Sequence, residues 1–380
     1  MSNPDKQVKF CKRCCEPDTR PDCIFDDEGV CLPCRYHETL DEIDWSQRER
    51  ELDKIAKWGK ERNVSGYDCI IGVSGGKDSH RQAIYARDEL GMKPLLVSCA
   101  YPPEQITERG ANNLGNLCEI GFDVIVVSPA PQVYKRLIQL GVKKYANWCK
   151  TTELALYGSV PRIAVAYNIP LIFLGENPAL SWGSYGGSLD GDANKMKYCN
   201  TLKGAKIEPY LEEGFRREEL FWYDYPSDED MERAKLRLVY LGYYIRDFND
   251  YRNAEIAIEH GMKIREGEDF LPEEIGQINE FDALDDDFVV INQMWKWMKF
   301  GFGKVSEQVS GAIRNGVMTK KEAIEMIEKY DGKCGEKYII KFCNYVGISR
   351  DEFDSVTEGC RNNEVWVKRE GKWVLRNPVR

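Results

Sequence analysis

The chain is 380 residues long, carries a formal net charge of −10, and is 42% hydrophobic and 31% charged. That length admits two or three domains with sizeable cores. The acidic balance argues against a large non-specific nucleic-acid footprint, leaving at most a local basic groove, and no apolar run approaches the roughly 20 residues of a membrane span.

The amino-terminal stretch MSNPDKQVKF has no apolar signal core. Of the 14 cysteines, Cys69, Cys99 and Cys118 stand singly in apolar runs, where a buried thiol is the plain reading. Both observations lead to the expectation of a reducing, cytoplasmic setting.

Residues 1–40 form a unit of their own. Cys11-x-x-Cys14, sixteen intervening residues and Cys31-x-x-Cys34 make a four-thiolate zinc pattern. Pro17, Pro21 and Gly29 imply turns and short strands between the pairs. A piece this small needs a metal to supply its folding energy. Zn2+ suits the spacing better than an iron–sulfur cluster. Cys15 and Cys23 are spare thiols, and His37 is a substitute ligand. The expectation is a structural knuckle, with docking of a partner as a further role. Residues 41–65 read as a helical linker, with Ile43, Leu52, Ile55 and Trp58 as the stripe of a solvated amphipathic connector.

Residues 66–250 carry an α/β rhythm. The pattern predicts strands at Cys69–Val73, Pro94–Ala100, Val124–Ser128 and Leu171–Leu174, and helices at Arg81–Leu90, Thr107–Ile120, Val133–Leu140 and Leu154–Tyr167. Such alternation implies a parallel sheet whose ligands bind at the carboxyl ends of the strands. The first strand runs into Ser74-Gly75-Gly76-Lys77-Asp78-Ser79. Glycines let a backbone approach an anion, and the N–H groups of a new helix favour phosphate. Ser74, Ser79 and Lys77 add donors. Neither the G-x-x-x-x-G-K-[ST] nor the G-x-G-x-x-G spacing is present. After the second strand, Ser98 and Tyr101 are placed to touch a nucleoside, strand-end packing being the alternative. After the fourth, Gly175, Glu176 and Asn177 offer a carboxylate and an amide for a cation or substrate, and Trp182–Gly187 reads as a substrate-facing loop. Lys143, Lys144 and Lys150 are either phosphate-steering or a solvated basic face. Arg233–Tyr251 is dense enough in aromatics to be a buried element.

Residues 251–380 are mainly helical by period. Met294–Gly303 reads as a core helix ending on glycines, Thr319–Glu322 as a capping box, and Glu364–Val374 as a hairpin turning at Glu370-Gly371.

The Ser74–Ser79 hexapeptide matches the S-G-G-x-D-S signature of the PP-loop ATP pyrophosphatases, which cleave ATP between the α and β phosphates. Together with CKRC, PDTRPDCIFDDEGVCLPCRYHE, LIFLGENP and KFGFGKVSEQVSGAIRNG, it makes the chain resemble the N-acetyl sugar amidotransferases, which include the WbpG-like and PseA-like enzymes of surface-polysaccharide and flagellin-glycan synthesis. The resemblance runs from about Cys11 to the last helix. Cys15, where an aliphatic residue is expected, and Cys23 depart from it. It implies an α/β PP-loop domain between the four-cysteine zinc knuckle and the helical region. It also implies ATP and Mg2+ as cofactors and adenylation of an acetamido group on a nucleotide-linked sugar. Ammonia then replaces the oxygen to give an acetamidino sugar. Ser74, Gly75, Gly76 and Ser79 would cradle pyrophosphate. Lys77 would supply a cation and Asp78 would help hold Mg2+, these two being the catalytic candidates. Ser98, Tyr101, Gly175 and Glu176 would complete the nucleotide site.

A built-in glutaminase needs a nucleophilic cysteine with a histidine and an acidic partner. The only histidines are His37, His80 and His260, and none falls in such a signature. The expectation is therefore ammonia from separate partners, a class I glutaminase and a cyclase-like barrel protein of the histidine-pathway type. The rival reading is a tRNA-thiolating PP-loop enzyme, against which the net charge weighs.

Overall fold

A computed structural model describes residues 7–183, 188–199 and 202–379. Ser184–Gly187 of the expected substrate-facing loop lies outside the described residues. In chain order, the knuckle ends in α1 (Leu32–Glu38), and α2 (Trp45–Lys60) leads into the α/β region. There β1 (Cys69–Gly72), α3 (Lys77–Asp88), β2 (Pro94–Cys99), α4 (Glu108–Glu119), β3 (Asp123–Val127), α5 (Pro131–Tyr145), α6 (Cys149–Tyr167), β4 (Leu171–Leu174), α7 (Pro178–Trp182) and β5 (Arg237–Tyr240) follow.

The five strands form one parallel sheet in the order β3-β2-β1-β4-β5. β1, β2 and β4 are almost wholly buried, as expected of parallel strands covered on both faces. On one face Leu52, Ile55, Ala83 and Ile84 of α2 and α3 pack against Ile71, Leu96 and Phe173. On the other, Val160, Ile163 and Ala164 of α6 meet Ile70, Val97 and Ile172. The chain runs outward from β1 through β3, then crosses back to β4. The order reverses between β1 and β4, and their carboxyl ends therefore open a crevice.

Three sequence expectations are corrected. α2 is not a solvated connector: Leu52, Ile55 and Ala56 are buried in the core beside β1. Its stripe is short, but the first strand needs a cover on this face. Arg233–Tyr251 contains a fifth strand, β5, followed by a 3-10 turn and the start of the helix Asp250–Glu259. Its aromatic content concealed the strand's period. Cys118 is exposed on the outer side of α4, whereas Cys69 is buried.

Beyond Asp250–Glu259, the chain returns along α4, with Thr107 N donating to Asp285 O at 3.1 Å. The helices Val289–Phe300, Lys304–Arg314, Lys320–Tyr330, Glu336–Val346 and Arg350–Gly359 follow. Trp295, Phe288, Phe342 and Phe353 join α5 and α6 in the largest core. The first of these helices stops at Gly301, whose φ of +74° suits a residue without Cβ. Thr319 and Glu322 form the reciprocal capping box. β6 (Trp366–Arg369) and β7 (Lys372–Leu375) make an antiparallel hairpin, turning through Glu370 and Gly371, both at positive φ.

The buried stripe of α2 makes a test of its own. Leu52→Ala is expected to cost about 2–5 kcal/mol in urea unfolding, the range for a truncated core leucine. A solvated connector would lose less than about 0.5 kcal/mol.

Candidate functional site

Two antiparallel bridges, Phe10 with Pro17 and Phe25 with Cys31, fold the knuckle. They bring Cys11, Cys14, Cys31 and Cys34 together, all buried. Cys11 Sγ lies 3.9 Å from Cys34 Sγ, and Cys14 Sγ lies 3.7 Å from Cys31 Sγ. Four sulfurs tetrahedrally placed at the usual Zn–S length stand about 3.8 Å apart, so the cluster fits zinc. Backbone N–H groups of Arg13 and Cys31 point at Cys11 Sγ, and that of Glu16 at Cys14 Sγ. Such donors favour thiolates. Burial pushes the spare thiols Cys15 and Cys23 up to about 12, so both stay protonated.

The knuckle is built into the molecule. Cys15 sits in a core with Val305 and Val309, and Lys320 Nζ donates to Cys11 O at 2.9 Å. Arg20 pairs with Glu16, with Glu307 at 2.9 Å, and lies over the Phe302 ring at 4.3 Å.

At the end of β1 the chain turns through Gly75, φ +86°, and Gly76 caps α3. A Cβ on Gly75 would meet the Leu114 backbone nitrogen at 2.9 Å, so close packing as well as conformation requires glycine. Ser79 Oγ accepts from Ser74 N at 2.9 Å. The buried His80 ring braces the turn, meeting Gly76 O at 3.1 Å and Asn116 Oδ1 at 2.9 Å. Burial lowers its pKa, so it is neutral around pH 7.

Lys77, the first residue of α3, is buried with its Nζ 3.0 Å from Asp78, 3.0 Å from Asp250 and 3.1 Å from Asp282. Burial alone would depress this amine. The three carboxylates overcome that and hold it well above its ordinary value. Asp282 also faces Lys304 at 3.5 Å. Although burial opposes ionisation, Lys304 and Lys77 keep Asp282 well below the carboxylate range. Asp78, Glu176 and Asp250 bring carboxylate oxygens within 4.8 Å of one another. Burial, then the charges of Asp78 and Asp250, push Glu176 up to about 8. With all groups ionised, these four carboxylates against Lys77 and Lys304 leave a net charge of −2 (2 − 4). The trio could hold one divalent cation through oxygen ligands.

Two cavities flank the turn. A polar one of about 290 Å³ is bordered by Ser74, Lys77, Asp78, Glu176 and Asp250, with Glu16 and Arg20 from the knuckle and Asp282, Lys304 and Arg314 from the helical region. A mainly apolar one of about 230 Å³ lies on the α6 side, walled by Val73, Val97, Cys99, Tyr157, Val160 and Met196. Ser74, Ser79, Glu176 and Trp182 border both.

Among the residues expected from sequence, Ser74, Gly76, Lys77, Asp78, Ser79 and Glu176 line the polar cavity, and Gly175 lines the apolar one. Gly75 lies behind the turn, against α4. Ser98 and Tyr101 border neither of these cavities. Strand alternation turns Ser98 to the face opposite Val97 and Cys99, and Tyr101 packs against the large aromatic core. Asn177 is occupied in capping α7 and donating to Ser188 O and Asp190 O. Lys144 pairs with Glu213, and Lys150 stacks over Tyr145, away from both cavities.

The sequence reading missed Asp250, Asp282, Arg20, Lys304 and Arg314. Asp250 could have been sought had β5 been read as a strand, because it opens the helix that follows that strand's carboxyl end. Arg20, Lys304 and Arg314 lie inside the family-like segments PDTRPDCIFDDEGVCLPCRYHE and KFGFGKVSEQVSGAIRNG, which gave them no role, and Asp282 comes from a distant segment.

The parallel sheet and its order reversal define an α/β protein with a crevice at the carboxyl ends of its strands, into which the glycine turn opens. Residues 275–380 match the family model described as LPS biosynthesis protein WbpG-like, C-terminal domain. The chain thus carries a WbpG-like C-terminal domain, which points to a role linked to lipopolysaccharide biosynthesis and supports the family resemblance. This segment supplies Asp282, Lys304, Glu307 and Arg314 to the polar cavity. No curated protein matches the chain. Among the described residues, no helix is long and apolar enough to cross a membrane.

The raised Glu176 carboxyl fixes the sign of a pH effect. It binds a proton in the folded state up to about pH 8, whereas unfolded it ionises near its ordinary value of 4.5. Stability is therefore lost as pH rises through that window. Glu176→Gln should melt a few degrees higher than the parent at pH 9 and match it at pH 4, in magnesium-free buffer. Added Mg2+ should raise the melting temperature of the parent at pH 8 and leave Glu176→Gln nearly unmoved. Separately, Cys14→Ser should lose the bound zinc by metal analysis and, because Glu16 and Arg20 wall the cavity, lower any activity of the crevice as well as stability.

Proposed function

We propose that the chain is an ATP-dependent amidotransferase that adenylates the acetamido group of an N-acetylated nucleotide sugar. It then exchanges the amide oxygen for nitrogen, giving an acetamidino sugar for a surface polysaccharide or flagellin glycan. One observation carries this reading. A glycine turn at a helix start sits between an apolar cavity and a polar one, with Asp78, Glu176 and Asp250 converging at their junction. An apolar chamber suits an adenine ring, the turn suits its phosphates, and the carboxylates suit Mg2+. The acceptor then occupies the polar cavity.

An amide oxygen is a poor leaving group, and adenylation turns it into a good one. The acetamido oxygen attacks the α-phosphorus and pyrophosphate departs. Ammonia then adds to the activated carbon, AMP leaves with the former amide oxygen, and a proton is lost to solvent. The turn N–H groups, Ser74 and Ser79 offset charge on the departing pyrophosphate. Lys77 supplies a cation once its carboxylates are shared with magnesium. Asp78, Glu176 and Asp250 would hold that ion and orient the phosphates. The nitrogen is assigned to a separate class I glutaminase and a cyclase-like barrel protein, since this chain carries no glutaminase signature.

Incubation with ATP, Mg2+, ammonium and a panel of N-acetylated nucleotide sugars tests the reading. AMP and pyrophosphate should form, with a sugar product in which NH replaces oxygen. Asp78→Asn should lower the rate at least ~100-fold, the scale of losing a group that stabilises developing charge. AMP release stimulated by tRNA alone would overturn the reading.

A further inference from the structure

Four cations, Arg20, Lys77, Lys304 and Arg314, border the polar cavity, and the first three are matched by carboxylates. Lys77 has Asp78, Asp250 and Asp282; Lys304 has Asp282; Arg20 has Glu16 and Glu307. Arg314 differs: among the described residues, no carboxylate forms an ion pair with its guanidinium. It closes the helix Lys304–Arg314, and its Nη2 donates to Ser181 O at 3.3 Å. Burial works against its charge, while the knuckle sulfurs Cys14, Cys34 and Cys31 and, more weakly, Glu16 favour it. A guanidinium carries five N–H donors in a rigid fork matched to phosphate and carboxylate oxygens, and the Ser181 carbonyl engages only one edge of it.

Arg314 also borders a third cavity of about 140 Å³. Its walls include Tyr36, Trp45, Trp182 and Phe248, so the chamber is lined by rings from the knuckle, α2, α7 and the segment after β5. Glu176, Ser181, Trp182, Asp250 and Arg314 belong to the rims of both this chamber and the polar cavity. The aromatic chamber and the polar cavity are therefore neighbours, with Arg314 on the wall they share.

We infer that Arg314 is a specificity-determining residue that binds an anionic group of the acceptor, with the aromatic chamber taking the portion attached beyond that anion. The inference rests on the amidotransferase reading, and it assigns a division of labour within it. The carboxylate trio handles the phosphates of ATP, whereas the anion of the acceptor is read by the one cation of this cavity that, among the described residues, forms no ion pair with a carboxylate. The aromatic rings supply stacking surface for a base or a sugar face. It also gives the knuckle a function besides structure: Pro33, Tyr36 and His37 wall the acceptor's subsite.

Calorimetric binding without ATP provides the test. The probes are N-acetylglucosamine, N-acetylglucosamine 1-phosphate, UDP-N-acetylglucosamine and N-acetylneuraminate, so neutral, phosphate-bearing and carboxylate-bearing acceptors are separated. The parent should prefer at least one anionic class over the neutral sugar by about tenfold or more, the scale of a charge-assisted fork. Arg314→Gln should abolish that preference, and Arg314→Lys, which keeps a cation beside the thiolates, should retain zinc and part of the preference. A preference unchanged in both variants, or an equal weakening of all four probes in Arg314→Lys, would overturn the assignment. UDP-N-acetylglucosamine binding no better than the 1-phosphate would remove the aromatic chamber from it. Absence of AMP formation with any N-acetylated sugar would instead strike the amidotransferase reading and leave this binding comparison standing.

Discussion

One buried ammonium ties the crevice together. Lys77 Nζ stands within 3.1 Å of carboxylates from α3, from the helix after β5 and from the segment just before the helix Val289–Phe300. A buried charge is tolerated only when paired and hydrogen-bonded. Lys77, fixed at the start of α3 by the glycine turn, thus obliges two remote stretches of chain to converge on this turn. Asp250 brings the helix Asp250–Glu259 against α3, and Asp282 brings the WbpG-like region over the turn. The convergence leaves more acid than base at the junction of two cavities. Glu176, pushed up to about 8, registers that excess.

The four-cysteine knuckle belongs to the same construction. Its four cysteines are buried, and Arg20 and Glu16 extend from it into the polar cavity, where Glu307 answers Arg20. The knuckle is thus a wall of the site. Cys11, Cys14, Cys31 and Cys34 would hold a metal at the centre of this small piece, and its binding would then help order the side chains that face the crevice. The helix Lys304–Arg314 completes the arrangement from the other side, with Lys304 at one end and Arg314 at the other.

Much of this was legible in the sequence, for definite reasons. The strands β1, β2, β3 and β4 announced themselves as apolar runs alternating with helical periods. The Ser74–Ser79 turn and the paired CxxC motifs are local patterns whose chemistry travels with them. Glu176 was reached because it follows a recognisable strand. β5 was hidden by the aromatic run around it, and with it went Asp250. Ser98 was misplaced by one step of the pleat, since Val97 and Cys99 face the apolar cavity and Ser98 faces away. Arg20 and Arg314 lie inside segments that carry the family resemblance, but nothing local gave them or Asp282 a role, because that role arises from segments far apart in the chain meeting around one cation and one four-cysteine cluster.

The central claim is that the crevice activates an amide oxygen by joining it to the α-phosphate of ATP. Its most direct test is the fate of that oxygen. An N-acetylated nucleotide sugar with heavy oxygen in the acetamido carbonyl is turned over with ATP, Mg2+ and ammonium, and the products are weighed. The account requires the label to leave the sugar and appear in AMP. Label remaining in the sugar product, or passing into water or pyrophosphate with AMP unlabelled, would contradict it.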